Sequence, residues 1–112
     1  MISSTKTLKI KTNGLKRIYK DYFSYTKETL QDEAKLGKLK SDGTDSAVVA
    51  QQEKVLAETK TMVYDSGVRF RVWYDELAEM VAPIKDELTM ATEDYKEAKK
   101  CLDDLAKFRN EI

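Results

Sequence analysis

The sequence contains no histidine, one cysteine, one proline and four glycines among 112 residues. Without histidine, the chain cannot form a histidine-ligated zinc or di-iron site, or a Ser-His or Cys-His nucleophile pair. A single cysteine excludes an intrachain disulfide and is typical of a reducing, cytosolic setting. The low content of glycine and proline favours helices over strands and tight turns.

Net charge and long apolar runs are also missing. Lys and Arg together number 20, as do Asp and Glu, so the formal charge is zero. No apolar run approaches the roughly 18 residues that a membrane span needs, and the N-terminus lacks the apolar core of a secretory signal. With 41% hydrophobic residues, the chain is too apolar for a disordered protein of balanced charge. These features predict a soluble, cytoplasmic, folded protein.

Helix-breaking residues divide the chain into three pieces. Residues 40–45 (KSDGTD) form a strong turn signal, and Pro83 interrupts a second helical pattern. Thr92 is a good N-cap for a third helix, since acidic residues follow it. The sequence predicts helices at about 12–40, 46–82 and 91–109 in a single domain, 1–112. Short connections favour antiparallel neighbours, so we expect an all-α, elongated, up-down-up three-helix bundle with coiled-coil-like packing.

Hydrophobic periodicity supports this architecture. The middle piece repeats every 3.5 residues for five heptads, which predicts a long seam against other helices. The first piece follows the same repeat, with Asp32 as its one charged interruption, whereas Leu8 and Ile10 fit either an extended leader or an early helical turn. The third piece places five residues on one face: Ala91, Tyr95, Ala98, Leu102 and Leu105. Four side chains of the middle piece are interpreted as core: Met62, Phe70, Trp73 and Met80.

Groups that could carry chemistry are sparse. Acidic residues occur as neighbours in sequence, for example at Asp75-Glu76, Asp86-Glu87 and Asp103-Asp104. Adjacent residues on a helix diverge by about 100 degrees, so such pairs do not converge on one substrate. Cys101 lies beside the apolar stripe of the third helix and is expected to be a structural thiol. The glycines do not form a phosphate-binding loop. We therefore expect no enzyme activity, no catalytic or metal-binding residues, and no cofactor.

Charge is distributed unevenly along the chain. Residues 1–40 hold ten basic and four acidic side chains, a net +6, and the remainder is −6. This asymmetry indicates either an acidic partner or a basic first helix that faces acidic neighbours within the same bundle. Nucleic acid is not expected as a partner because no docking motif accompanies the lysines. A membrane surface is not expected because the first helix lacks a strongly apolar face.

Four stretches resemble the tubulin-binding cofactor A family of tubulin-folding chaperones. They are residues 9–12 with 15–18 (KIKT, LKRI), residues 25–33, residues 52–62 (QEKVLAETKTM) and residues 93–99 (EDYKEAK). Their order and spacing agree with the family from about residue 9 to residue 106. The family usually has a proline in the middle of its second helix, where this chain has Tyr64 with Gly67 nearby. The second helix is therefore expected to be straighter here, or bent by other means.

The resemblance implies a function that the periodicity does not. A member of this family would capture β-tubulin released from the cytosolic chaperonin and pass it to other tubulin-folding cofactors. It would act in the cytoplasm. Association with the microtubule cytoskeleton and formation of a homodimer are both left open. The candidate partner-binding residues are exposed basic side chains in the matching stretches: Lys16, Arg17, Lys20, Lys27 and Lys60. The alternative is a generic coiled-coil adaptor or self-associating helical module.

Overall fold

The computed structural model describes residues 5–112. Three long helices and one single-turn helix account for most of them: α1 (Thr5–Ser41), α2 (Ser46–Val81), α3 (Glu87–Met90) and α4 (Glu93–Glu111). This part of the chain contains no strand, so the predicted all-α class is confirmed. Residues 1–4 of the predicted domain lie outside the described residues. None of the described helices has an apolar stretch long enough to cross a membrane.

The predicted helix boundaries follow from local backbone chemistry. At the end of α1 the amide of Asp42 donates to the carbonyl of Lys38 at 2.9 Å, and Gly43 adopts a φ of 67° in the turn. Helix α2 ends at Val81, two residues before Pro83. Thr92 caps α4, since its hydroxyl oxygen accepts from the amide of Tyr95 at 3.2 Å. The turn, the break and the cap predicted from the sequence are confirmed.

Two segments differ from the sequence interpretation. Helix α1 begins at Thr5, earlier than the predicted start at about residue 12, and of the two conformations left open for Leu8 and Ile10 the helical turn is the one found. Ala91 does not lie on the apolar face of the third long helix: it is the exposed C-cap of α3. Helix α3, which the sequence did not predict, forms because Asp86 caps its N-terminus. The Asp86 carboxylate accepts hydrogen bonds from the amide and the hydroxyl of Thr89.

The chain divides into two compact units, and α1 and α2 each contribute to both. The three-helix unit comprises residues 5–19 and Gly67–Ile112, and the hairpin unit comprises Lys20–Ser66. The expectation that the whole chain is one domain stays a prediction.

The three-helix unit contains the hydrophobic core. Among residues 5–112, all ten buried hydrophobic residues lie in it, and α4 packs against α1 and α2. Phe70 of α2 is fully buried, with its ring 6.0 Å from Tyr19 of α1 and 4.8 Å from Phe108 of α4. The prediction that Phe70 is core is confirmed, while Trp73 and Met80 pack half-buried at its edge. The core consists of Leu8, Leu15, Ile18, Phe70, Leu77, Val81, Ala98, Cys101, Leu102 and Leu105.

The hairpin unit pairs the second part of α1 with the first part of α2, and its buried residues are polar. Gln52, Thr59 and Ser66 are buried, each seven residues from the next. The Thr59 hydroxyl donates to the carboxylate of Asp32 at 2.8 Å, which explains how the seam accommodates the charged interruption. Met62 is 45% exposed, so its interpretation as core is wrong. Polar pairs of this kind fix the register of two helices, although they contribute little to stability.

Gly14 allows Trp73 to pack against α1. A Cβ atom at Gly14 would collide with the ring of Trp73, whereas a Cβ at Gly37 would meet nothing within 4 Å. We expect Gly14→Ala to lower the free energy of unfolding by about 1–3 kcal/mol through overpacking. The matched variant Gly37→Ala should raise it by about 0.5–1 kcal/mol, because alanine is the better helix former. Urea unfolding measures both, and equal stabilisation by the two alanines would contradict the close approach of Trp73.

Candidate partner-binding surface

An apolar groove lies on one side of the hairpin unit, between α1 and α2. We call it the Leu30 groove, and it encloses about 170 Å³. Leu30 at its edge is 64% exposed, a high value for a leucine on a helix that packs against another helix. The lining residues are Thr26, Thr29, Leu30, Lys60 and Val63.

The two threonines present an apolar surface to this groove. The hydroxyl of Thr26 donates to the carbonyl of Tyr22 at 2.8 Å, and that of Thr29 donates to the carbonyl of Tyr25 at 2.9 Å. Each hydroxyl is thus used within α1, one turn back along the helix. The Lys60 ammonium is therefore the one charged group in the lining.

The groove exists because the same heptad positions are covered in one unit and open in the other. Along α2, Phe70 and Leu77 are fully buried in the three-helix unit, where α4 contributes to their surroundings. Leu56 and Val63 continue the same series toward the start of α2, and both are only half-buried in the hairpin unit. The hairpin unit contains parts of two helices only, so no third helix completes the burial of this stripe.

A second groove lies elsewhere on the hairpin unit, near the turn between α1 and α2. It encloses about 390 Å³, and Val48 on its wall is 47% exposed. Its lining is more polar than that of the Leu30 groove, since three of its six residues carry amide or ammonium groups. Those six residues are Lys35, Leu39, Ala47, Val48, Gln51 and Gln52.

The five basic candidate residues are divided between the two units, and all five are exposed. Lys16 and Arg17 are in the three-helix unit, and adjacent positions on a helix point about 100 degrees apart. Lys20 and Lys27 are in the hairpin unit, seven residues apart on one face of α1. Of the five, Lys60 alone lines a groove.

Part of the basic charge of α1 is neutralised within the three-helix unit. Lys16 forms an ion pair with Glu97 of α4 at 3.2 Å, and Lys11 forms one with Glu76 of α2 at 3.4 Å. The Lys11 ammonium also lies 4.1 Å from the centroid of the Trp73 ring. The intramolecular explanation for the charge asymmetry therefore applies to these two lysines. Within residues 5–112, no ion pair involves Lys20, Lys27 or Lys60.

Four groups that could carry chemistry are buried or hydrogen-bonded within the structure. Burial raises the pKa of the Cys101 thiol, which disfavours the reactive thiolate. A hydrogen bond from Arg109 lowers the pKa of Asp75, and hydrogen bonds from Thr89 lower the pKa of Asp86. Tyr74 donates its hydroxyl to the carbonyl of Leu102 at 3.0 Å. Across residues 5–112, no three histidine, cysteine or acidic side chains form a group able to hold a metal ion.

Comparison with known proteins identifies the family. The family model described as tubulin binding cofactor A matches residues 3–102. The chain belongs to this family. Tubulin-specific chaperone A from Rattus norvegicus is 33% identical over 98 residues, which cover 88% of this chain and 89% of the relative. Tubulin-folding cofactor A from Arabidopsis thaliana is 32% identical over 106 residues, which cover 95% and 94%, respectively.

Solved structures of the family share the fold. The crystal structure of tubulin folding cofactor A from Arabidopsis thaliana matches with a TM-score of 0.78 and 32% identity, covering 96% of this chain and 99% of that one. The human tubulin chaperone cofactor A structure matches with a TM-score of 0.73 and 27% identity, covering 91% and 97%. The family resemblance inferred from the four sequence stretches is confirmed.

Sequence reasoning missed the Leu30 groove. It selected Lys60 as an exposed basic side chain in one of the matching stretches and did not predict the apolar surface beside it. A signal was present: the third helical piece was predicted to be much shorter than the first two. Helix α4 has 19 residues against 37 in α1, so it cannot accompany α1 along its whole length.

Proposed function

We propose that this protein is a non-enzymatic, cytoplasmic tubulin-folding cofactor that binds β-tubulin. It holds the subunit after release from the chaperonin and passes it to other tubulin-folding cofactors on the route to the αβ heterodimer. Membership of the tubulin binding cofactor A family is the observation that carries this proposal.

The charges and surfaces of the hairpin unit support a protein-binding role. Tubulin is acidic, and Lys20, Lys27 and Lys60 are exposed and free of ion pairs with described carboxylates. Exposed lysines of this kind accelerate the encounter with an acidic partner, and salt weakens the effect. The apolar lining of the Leu30 groove in the same unit can then contribute contacts that slow dissociation.

A capture experiment tests the choice of partner. The full chain, immobilised and exposed to separated tubulin subunits and to the intact heterodimer, should retain β-tubulin and release the heterodimer. Retention should fall as ionic strength rises from ~50 to ~300 mM, because the Debye length shortens over this range. Failure to retain β-tubulin at low salt would refute the proposal. Equal retention of the heterodimer would refute capture of the free subunit.

Charge reversal tests the contribution of the basic face of α1. We expect the double variant Lys20→Glu/Lys27→Glu to bind β-tubulin about tenfold more weakly at low salt, with most of the loss in the association rate. The matched control is Lys99→Glu/Lys100→Glu, which changes the net charge equally on exposed positions of α4. Equal weakening by the two double variants would show that total charge, not the α1 face, determines the encounter. Lys16 is excluded because its reversal would also break the pair with Glu97.

The alternative function is a self-associating coiled-coil adaptor, and the observation that favours it is the heptad repeat of α2. It predicts a strong homo-oligomer of the purified chain and no selective retention of β-tubulin. Sedimentation of the chain with and without β-tubulin distinguishes the two functions, because a cofactor forms a heterologous complex whose mass includes one tubulin subunit.

A further inference from the structure

The Leu30 groove has the form of a site that receives a helix. In the three-helix unit, the stripe of α2 that contains Phe70 and Leu77 is fully buried in a core to which α4 contributes. In the hairpin unit the same stripe continues through Leu56 and Val63, which are only half-buried. Two packed helices create a groove along each side, and a third helix fits such a groove with an apolar stripe at steps of three and four residues.

The lining defines the chemistry of the occupant. The Leu30 side chain and the methyl groups of Thr26 and Thr29 match aliphatic side chains, since both threonine hydroxyls already donate within α1. Lys60 is the one charged lining residue, and no described carboxylate lies within ion-pair distance of its ammonium. An occupant with a carboxylate beside its apolar stripe would neutralise this group.

We propose that the Leu30 groove binds an amphipathic helix of β-tubulin, with aliphatic residues on its buried face and an acidic residue opposite Lys60. This inference rests on the proposed function and names the site at which it acts. The bound helix supplies in the hairpin unit the type of packing that α4 supplies in the three-helix unit. Affinity then comes from burial of the groove walls, and Lys60 orients the helix.

A pair of matched substitutions tests the groove. Leu30→Glu places a carboxylate on a 64% exposed position of the Leu30 groove, and Val48→Glu places one on a 47% exposed position of the second groove. We expect Leu30→Glu to weaken β-tubulin binding by about 30-fold, as at an interface hot spot. Val48→Glu should change binding by less than about twofold. Circular dichroism and urea unfolding should show that both variants fold like the wild type, since both positions are exposed.

The outcomes separate the groove from the function. If wild-type protein binds β-tubulin and the two variants bind equally well, the groove proposal is overturned and the proposed function stands. If wild-type protein does not bind β-tubulin, both proposals fail. Lys60→Glu tests the charge of the groove, with Lys54→Glu at another exposed position of α2 as its control. Only Lys60→Glu should weaken β-tubulin binding, and high salt should restore part of the lost affinity.

Photo-crosslinking identifies the occupant directly. A benzophenone amino acid at position 30, compared with one at position 48, is irradiated in the complex with β-tubulin and the products are mapped by mass spectrometry. A position-30 crosslink to an amphipathic helical segment of β-tubulin that carries acidic residues supports the proposal. A crosslink to a second copy of this chain, or to a non-helical tubulin segment, overturns it.

Discussion

Phe70→Ala is expected to lower the free energy of unfolding by about 3–5 kcal/mol. Phe70 is fully buried, and its ring packs against Tyr19, Tyr74 and Phe108, so each long helix contributes to its surroundings. Truncation removes the buried ring and leaves a cavity that three packed helices cannot close completely. Because native proteins are stable by only about 5–15 kcal/mol, a loss of this size brings the variant close to the unfolding threshold. Urea unfolding followed by circular dichroism measures the difference.

Phe23 provides the control for this experiment. It lies in the hairpin unit, is 48% exposed and packs edge-to-face on Tyr22 at 5.8 Å. Phe23→Ala should therefore cost about 1 kcal/mol or less, because much of the ring is already in water. Comparable losses for Phe23→Ala and Phe70→Ala would mean that the core is not concentrated in the three-helix unit.

Backbone amides in the middle of α1 and α2 within the hairpin unit are expected to exchange at least ~100-fold faster than those in the three-helix unit. All ten buried hydrophobic residues in the described part of the chain belong to the three-helix unit, while the hairpin unit buries only Gln52, Thr59 and Ser66. Local opening of the hairpin therefore exposes little additional apolar surface and costs little free energy. Native-state hydrogen exchange resolved by residue or by short peptide measures the difference.

Helix α1 contains its own internal comparison. Residues 10–18 belong to the three-helix unit and residues 25–33 to the hairpin unit, and both segments lie well inside one continuous helix. End fraying therefore affects neither segment. Uniform protection across the two would contradict the separation into units of different stability. Addition of β-tubulin should slow exchange mainly around residues 25–33, if the groove at Leu30 is the binding site.

The positions of the helix ends could be predicted from the sequence because they depend on nearby residues. The turn at 40–45, the break before Pro83 and the cap at Thr92 each act through the backbone within a few residues. The beginning of α1 does not follow from nearby residues in this way, since Leu8 and Ile10 alternate with lysines and fit either of two conformations. Burial of Leu8 in the core favours the helical conformation.

The candidate site was only partly predictable. Basic residues are visible in any sequence, so Lys60 could be selected without knowledge of its surroundings. The groove beside Lys60 could not be predicted, because it forms where no third helix of the hairpin unit covers Thr29, Leu30 and Val63. Met62 illustrates the same difficulty: its spacing beside the seam suggests core, yet no helix of the hairpin unit covers it.

By itself, the sequence determined an all-helical chain with a heptad stripe, the breaks that divide it and the family to which it belongs. Only the tertiary structure decided which parts of that stripe are enclosed. The reason is physical: helix formation and capping depend on neighbours along the chain, whereas burial depends on elements brought from far away. Phe70 and Val63 occupy the same position of the repeat, seven residues apart, and the packing of α4 makes one a core residue and leaves the other half-buried at the wall of a groove.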